Sequence, residues 1–217
     1  MKNNTVFVLL AGGQSQRMGI PKGLLKFKSS YWILEQLNRI AQTEISKVYI
    51  GLGHGHQEYF QAIPWFETAQ ENFVKYLHLD IKIVINTSPE KGSFSTLQSV
   101  LTNIPHVDVI MNPIDVPLLN SIAFNQIYSE NNTVVIPNYE GKNGHPIKLS
   151  ASFCETLVKL DNRQETARLD LQIKRLKQNK ISTINILDPS ILKNLNNQET
   201  WNLFLSQDQI ASNFYEN

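Results

Sequence analysis

The sequence has almost no cysteine, little excess charge and no long apolar run. Only one of its 217 residues is cysteine, which excludes an intrachain disulfide framework and is typical of a reducing cytoplasm. Its 20 lysines and arginines nearly balance 19 aspartates and glutamates, so the net charge of +1 indicates neither a nucleic-acid nor a membrane partner. No run approaches the roughly 18 apolar residues of a membrane span. We therefore expect a cytoplasmic protein without either partner.

Short apolar runs of strand length alternate along the chain with segments whose apolar residues recur every three or four positions. The runs lie at 5–10, 47–53, 81–87, 107–113, 133–137 and 181–187. The segments with helical spacing lie at 29–41, 94–104, 121–130, 150–160, 165–176 and 197–207. Such alternation is typical of a mostly parallel sheet covered by helices.

We therefore predict an α/β fold, a single Rossmann-like three-layer domain over 1–217. The first run is too short for a signal peptide and ends in a glycine loop, so we expect a buried strand there. Ser29 or Ser30 is expected to cap the first helix. The poorly periodic stretch 54–79 is expected to form a helix and a loop over the sheet edge. Cys154, on a predicted helix with apolar neighbours, is expected to be buried and inert.

The loop after the first strand combines adjacent glycines with two cations. Gly12 and Gly13 permit a close backbone approach, so that consecutive N–H groups can cradle an anion. Arg17 can hold phosphate oxygens through its planar fork, and Lys22 adds a mobile point charge. The loop is neither a Walker loop nor a G-x-G-x-x-G dinucleotide loop. It predicts phosphate binding of another kind, the alternative being a tight turn with two solvated cations.

The order of residues in this loop resembles the signature of the MobA-like nucleotidyltransferases, which join a nucleotide to molybdenum cofactor or to other phosphorylated acceptors. The matching residues are Leu10, Ala11, Gly12, Gly13, Ser15, Arg17, Met18, Gly19, Lys22, Leu24 and Leu25. The resemblance implies a fold like that of the nucleotide-diphospho-sugar transferases. It implies that the nucleotide is bound by Leu10, Ala11, Gly12, Gly13, Ser15, Arg17 and Lys22. Arg17 and Lys22 would be catalytic, stabilising charge on the α-phosphate and the leaving pyrophosphate.

Asp115 follows the fourth strand and stands between two prolines, Pro113 and Pro117. By itself, an aspartate in this position could simply start a turn. Magnesium takes hard oxygen ligands and is usually shared with substrate phosphates, so one well-placed carboxylate is enough. The resemblance implies that Asp115 is catalytic and holds Mg²⁺, because Asp-x-Pro is the family's metal-binding motif.

Two further segments resemble parts of the family. The segment at 91–101 resembles a Gly-x-x-x-Ser-Leu segment of its cytidylyl-transferring branch, which implies that Gly92 and Ser95 bind the nucleotide near its base or ribose. The alternative is that a serine there caps a helix. Gly-His-Pro at 144–146 resembles the family's acceptor side and implies that His145 binds the acceptor, although a histidine before proline can also be structural.

A third segment, at 193–204, matches the family's Asn-x-Asn-Thr-Pro-Glu segment only in part. Asn194, Asn196 and Glu199 match, whereas Asn197 and Gln198 stand where threonine and proline are usual. The plain interpretation is an asparagine-rich turn that caps the last helix.

The base is expected to be guanine or cytosine, since features of both branches occur in the sequence. Residues 10–13 and 22–25 and the Asn194-x-Asn196 segment resemble the guanylyl-transferring branch. Ile20-Pro21, the segment at 92–97 and Gly-His-Pro at 144–146 resemble the cytidylyl-transferring branch. The expected preference between GTP and CTP rests on Gly12. Without a Cβ, it is expected to leave more room beside the base than the alanine usual in the cytidylyl branch. That favours a purine, and therefore GTP over CTP.

The sequence therefore predicts an Mg²⁺-dependent enzyme in which an acceptor phosphate attacks the α-phosphorus of GTP or CTP and expels pyrophosphate. The resemblance implies molybdopterin or its molybdenum form as acceptor, and a molybdoenzyme or another cofactor-biosynthesis protein as partner. Diverged relatives use sugar phosphates or other phosphorylated metabolites. The alternatives from other classes are a nucleotide-binding regulator without turnover and a chaperone that holds a phosphorylated cofactor.

Overall fold

The computed structural model describes residues 5–215, with side chains described through residue 208. Its strands are β1 Val6–Ala11, β2 Lys26–Phe27, β3 Ser30–Tyr31, β4 Lys47–Leu52, β5 Val74–Tyr76, β6 Leu79–Ile85, β7 Val109–Pro113, β8 Val134–Tyr139, β9 Lys142–Asn143, β10 Ile147–Leu149 and β11 Ile181–Asn185. Its helices are α1 Trp32–Ile40, α2 His56–Ala62, α3 Trp65–Glu71, α4 Ser93–Leu101, α5 Ser121–Ser129, α6 Ala151–Val158, α7 Leu169–Lys174 and α8 Gln198–Tyr215.

The main sheet has the order β11-β8-β10-β7-β1-β4-β6-β5, with β9 paired to β8. The pairs β7-β1, β1-β4, β4-β6 and β11-β8 are parallel, and β10 runs antiparallel between β7 and β8. The chain moves outward from β1 to β4 and β6 and then returns to β7 on the other side of β1. Open α/β sheets bind ligands at such a switch point, beyond the carboxyl ends of the strands. The predicted α/β fold with a mostly parallel, helix-covered sheet is confirmed; the domain limits 1–217 stay a prediction.

Strand β1 is buried on both faces and alternates between two cores. Phe7, Leu9 and Ala11 face a cluster built with α1, α2, α3, α5 and α8, which we call the α1 face. Val6, Val8 and Leu10 face a second cluster built with α4, α6 and α7, which we call the α4 face. Because side chains alternate along a strand, one continuous apolar run supplies both layers of the sandwich.

Local predictions failed where tertiary pairing decided the structure. The stretch 54–79 forms α2, α3 and the edge strand β5, rather than one helix and a loop. Ser29 and Ser30 do not cap α1, because Ser30 is used in the β2–β3 hairpin and Tyr31 precedes the helix without a side-chain cap. Helix α7 is shorter than predicted, since residues 164–168 form turns before it.

Cys154 lies buried in α6, as predicted, and burial raises the pKa of its thiol to about 12. Such a thiol stays protonated at neutral pH and is a poor nucleophile. Among residues 5–215, no helix combines the length and the apolar character needed to cross a bilayer.

Candidate active site

A cleft of about 1160 Å³ opens at the carboxyl ends of the central strands. Its floor includes apolar side chains of β1, β7, β8 and β10, namely Leu10, Met111, Ile136 and Ile147. Its walls come from the loop after β1, the start of α4, the loop after β7, the segments 143–145 and 167–174, and Asn194 and Asn196. Five cations line the cleft against two carboxylates, so it suits an anionic ligand in a chain of net charge +1.

The loop after β1 is folded back on itself. Ser15 has a left-handed backbone with φ of 51°, and its hydroxyl accepts a hydrogen bond from the Lys22 N–H at 3.1 Å. Gly19 supplies a second left-handed turn with φ of 71°, where a side chain would be strained. The backbone therefore brings Lys22 next to Ser15, and Gly12, Gly13, Arg17 and Lys22 all line the cleft.

Because Gly12 has no Cβ, the β1 loop packs closely against Thr96 of α4 and against Gly53. A Cβ there would lie 2.7 Å from Thr96 Oγ1 and 3.3 Å from the Gly53 nitrogen. The Gly12 carbonyl also accepts a hydrogen bond from the His54 N–H at 3.2 Å. The space left by the missing Cβ is thus occupied by Thr96, and the argument that it makes room for a purine has to be corrected.

Three polar side chains that are far apart in sequence meet in the cleft. The Lys22 Nζ donates to Asp115 Oδ2 at 2.7 Å and to Asn196 Oδ1 at 2.6 Å. The lysine side chain is 14% exposed and the aspartate side chain 21% exposed. The predicted residues Lys22 and Asp115 are therefore in contact. Asn196, from the segment with only a partial match to the family, joins them. We call this group the Lys22 triad.

The loop that carries Asp115 is held by buried polar side chains that the sequence analysis missed. The indole N–H of Trp32 donates to the Ile114 carbonyl at 2.6 Å. The Gln36 amide donates to the Val116 carbonyl at 2.7 Å and accepts from the Leu118 N–H at 3.1 Å. A glutamine on the apolar face of a predicted helix was the available signal, because a buried amide needs partners.

Further hydrogen bonds join the loop that carries Asp115 to the end of β1 and to the segment that carries Asn196. The Ile114 N–H donates to the Leu10 carbonyl at 2.9 Å, and the Asn112 side chain donates to the Val116 carbonyl at 2.7 Å. The Leu195 N–H donates to the Asp115 carbonyl at 2.8 Å. Asp115 is therefore fixed relative to both the β1 loop and the segment that carries Asn196.

The triad fits the divalent metal that the resemblance implies. Asp115 Oδ2 and Asn196 Oδ1 converge on one point, where the Lys22 ammonium lies. Both are hard oxygen atoms of the type that Mg²⁺ binds, and Mg²⁺ often takes only one or two protein ligands. Within the described part of the chain, no group of three or more His, Cys, Asp or Glu side chains forms another candidate metal site.

The segment 91–101 lies partly in the cleft wall. Gly92 lines the cleft and precedes α4 without a side-chain cap, so neither Ser93 nor Ser95 is the N-cap. Ser95 is 2% exposed and does not line the cleft; its hydroxyl contacts the Gly92 and Ser88 carbonyls and accepts from Asn86. Nucleotide binding by Gly92 and Ser95 stays a prediction, and Ser95 lies behind the wall rather than in it.

His145 lines the cleft close to the carboxylate of Asp115. Its Nδ1 is buried and has no hydrogen-bond partner among the described residues. Burial lowers the pKa of the imidazole to about 4, against an opposing contribution from Asp115. The ring is therefore neutral at pH 7 and can offer a ligand a hydrogen bond but no charge. Acceptor binding by His145 stays a prediction.

The asparagine-rich turn before α8 caps that helix, as predicted. Asn197 Oδ1 accepts a hydrogen bond from the Thr200 N–H at 2.9 Å, which caps α8. Asn197 thus caps the helix while its neighbour Asn196 contacts Lys22.

A second set of cations, which the sequence analysis missed, also lines the cleft. Arg168 and Lys174 lie just before and at the end of α7, and Lys91 lies just before α4. Arg168 also pairs with Asp170 on the same segment. A cation in a predicted amphipathic helix gave no signal, because such residues usually form a solvated face. We call Lys91, Arg168 and Lys174 the α7 wall.

Known proteins resemble this chain in sequence family and in fold. A family model for the MobA-like NTP transferase domain matches residues 7–178. No curated protein matches the chain.

Similar solved structures extend over nearly the whole chain. The homologue of Mycobacterium tuberculosis Rv0371c from Mycobacterium sp. strain JC1 has a TM-score of 0.72 and 19% identity over 95% of this chain and 98% of that one. Rv0371c itself, in complex with manganese, has a TM-score of 0.60 and 16% identity over 84% and 88%. Molybdopterin-guanine dinucleotide biosynthesis protein A from Archaeoglobus fulgidus has a TM-score of 0.65 and 14% identity over 95% and 98%. At these identities the likeness shows a shared fold.

Proposed function

We propose that this chain, which belongs to the MobA-like NTP transferase domain family, transfers a nucleotidyl group from GTP or CTP to a phosphorylated acceptor and releases pyrophosphate. The observation that carries the proposal is the Lys22 triad at the switch point of the sheet. A cation, a carboxylate and an amide oxygen there suit phosphates and a divalent metal together.

The roles follow from position and charge. The backbone of Leu10, Ala11, Gly12 and Gly13 cradles the triphosphate with the loop that Ser15 folds back. Arg17 and Lys22 stabilise the charge that develops on the α-phosphate and on the leaving pyrophosphate.

Asp115, with Asn196, would hold Mg²⁺, which supplies Lewis-acid polarisation of the phosphate oxygens when bound. The manganese in the Rv0371c structure supports a divalent metal in this fold. An ionised acceptor phosphate needs no strong base, which agrees with a neutral His145 that only orients it by a hydrogen bond.

Molybdopterin or its molybdenum form is the acceptor we propose, supported by the resemblance and by the name of the Archaeoglobus fulgidus protein. A sugar phosphate or another phosphorylated metabolite is the alternative. With molybdopterin, a molybdoenzyme or another cofactor-biosynthesis protein is the expected partner. The cytoplasmic location inferred from the cysteine count stays a prediction.

GTP is proposed ahead of CTP, now on the resemblance of the first loop and of the Asn194-x-Asn196 segment to the guanylyl branch. The packing of Gly12 against Thr96 no longer supports the choice. Titration with GTP and CTP at saturating Mg²⁺ tests it, and tighter binding of CTP would reverse it.

The test of the activity is pyrophosphate release with each of the four NTPs and candidate phosphorylated acceptors. We expect release that depends on acceptor, on NTP and on Mg²⁺. Nucleotide binding without release under any combination would instead indicate a regulator, and acceptor binding without NTP or Mg²⁺ would indicate a chaperone.

A further inference from the structure

Nucleotidyl transfer brings together two phosphorylated substrates, and the cleft holds two separate groups of cations. One group is Arg17 and Lys22 on the β1 loop, and the other is the α7 wall. The residues next to the Lys22 triad, namely Leu24, Ile114 and Leu195, pack on the α1 face. Ala167 and Ile173, which flank the α7 wall, pack on the α4 face. The two groups therefore belong to opposite layers of the sandwich and meet only at the cleft.

Each of the two groups contains a cation that is already paired with a carboxylate and a cation that, within residues 5–208, is not. Lys22 is already paired with Asp115, next to the proposed metal site. Among the described side chains, Lys91 and Lys174 have no ion-pair partner within 4.0 Å. With three cations against the single carboxylate of Asp170, the α7 wall therefore offers the cleft a net positive charge.

Arg168 is oriented by its own segment. Its Nε donates to Asp170 Oδ1 and its Nη2 to Asp170 Oδ2, both at 3.1 Å. A guanidinium carries five N–H donors, so about three remain for a ligand while the carboxylate holds the plane.

The backbone beneath Arg168 is also held in place. The buried Gln172 side chain donates to the Thr166 carbonyl at 2.7 Å, and the Arg168 N–H donates to the same carbonyl at 2.9 Å. The Gln98 side chain donates to the Leu157 and Leu160 carbonyls and so joins the end of α6, from which the chain continues towards Arg168, to α4. The arginine therefore projects from a supported backbone, although its side chain is 64% exposed.

From these observations we propose that the α7 wall is a subsite for the phosphate group of the acceptor, with Arg168 and Lys174 as its main ligands. This assignment rests on the proposed function, which supplies a second phosphorylated substrate for the second group of cations. The same phosphate chemistry could also come from the triphosphate of the nucleotide, and the experiment has to separate these two sources.

The experiment uses the full chain saturated with an unreactive α,β-methylene analogue of GTP or CTP, whichever binds more tightly. Inorganic phosphate is titrated in as the probe, and amide ¹H–¹⁵N shifts are followed. In the unaltered protein we expect phosphate to shift the amides of residues 167–174.

In Arg168→Gln/Lys174→Gln, we expect phosphate affinity to fall at least about tenfold, the scale of one lost charge-assisted contact. We expect nucleotide affinity to stay within about twofold. A third substitution, Asp170→Asn, added to this pair tests whether the loss only reflects repulsion by an unpaired carboxylate; affinity should stay low. Arg163→Gln/Lys177→Gln is the matched control, since it makes the same replacements and removes the same charge, Arg163 pairs with Asp161 in the same way, and neither residue lines the cleft.

Two results would overturn the subsite. One is unchanged phosphate shifts in the Arg168/Lys174 variant, and the other is a tenfold loss of nucleotide affinity there, which would assign the α7 wall to the triphosphate. Failure of the proposed function looks different. In that case the unaltered protein would not bind nucleotide, or would bind it without releasing pyrophosphate with any acceptor, and the acceptor assignment would fall with it even if phosphate still shifted residues 167–174.

Discussion

The two sides of the cleft are built on different principles. In the Lys22 triad, the Lys22 side chain contacts both Asp115 and Asn196 and is largely shielded from solvent. The loop that carries Asp115 is fixed by hydrogen bonds from Trp32, Gln36 and Asn112. The α7 wall consists of exposed cations, with Lys174 on the short helix α7 and Lys91 and Arg168 in turns just before α4 and α7. Buried polar networks hold a geometry firmly, whereas exposed side chains adapt to their ligand.

This difference suggests a division of labour between the two layers. Chemistry at the α-phosphate demands fixed positions, because misplacement of about 1 Å can reduce the rate on the order of a hundredfold. Attracting the phosphate of an acceptor from solution demands charge, whereas its attack on the α-phosphorus demands a fixed position. The α1 face would then supply the fixed positions for the reaction, and the α4 face the charge that attracts the acceptor.

The largest effect is expected from Asp115→Asn, which keeps the shape but removes the charge beside Lys22. We expect loss of turnover and a weaker dependence on Mg²⁺, with nucleotide still bound through the β1 loop. Pyrophosphate release over a Mg²⁺ titration and calorimetry with nucleotide measure the two quantities. Asp80→Asn, which alters an acid paired with Lys75 away from the cleft, is the control. Full activity at low Mg²⁺ would show that another residue holds the metal.

Lys22→Ala and Arg17→Ala are expected each to lower kcat/KM at least about a hundredfold, the scale of a lost transition-state charge contact. Circular dichroism should not change, because both side chains lie in the cleft wall and not in the apolar core. Lys26→Ala removes an exposed lysine that lies over the Tyr31 ring and should leave kcat/KM unchanged. Near-normal turnover in both variants would contradict the phosphate cradle.

The sequence predicted the central strands and the first loop because their signals are local. A buried parallel strand is a continuous apolar run, and a phosphate loop has its glycines and cations within a few residues. Contacts such as Lys22 with Asn196, 174 residues apart, have no local signal. The same holds for Arg168, which becomes part of a cleft only through the packing of α7. The three-residue strand β10 is too short for a periodic pattern to reveal.

His145, between the two sides, makes the pH dependence of stability a test of its burial. Its pKa falls from the ordinary 6.5 to about 4 on folding, so the unfolded chain binds the extra proton more readily. Its contribution to stability is therefore complete above pH 6.5 and is lost as the pH falls toward 4, by at most about 3 kcal/mol. Denaturant unfolding from pH 7.5 to 4 should show a flatter profile for His145→Gln, and His78→Gln, at an exposed position, is the control. Equal slopes in all three proteins would contradict the lowered pKa.

A smaller effect is expected from Gln36→Leu, which tests the difference between the two sides most directly. The substitution keeps the approximate volume on the α1 face but removes the acceptor for the Leu118 N–H. The Val116 carbonyl keeps its bond from Asn112, so one buried donor is left unpaired, and the free energy of unfolding should fall by about 1–3 kcal/mol. Because this loop carries Asp115, kcat/KM should fall as well, while the phosphate shifts of residues 167–174 should stay as they are.

Gln61→Leu, at an exposed position of α2, is the control and should change neither the free energy of unfolding nor kcat/KM. If Gln36→Leu disturbed the α7 wall as strongly as the Asp115 loop, the two sides would not be independent, and the division of labour between the layers would have to be abandoned.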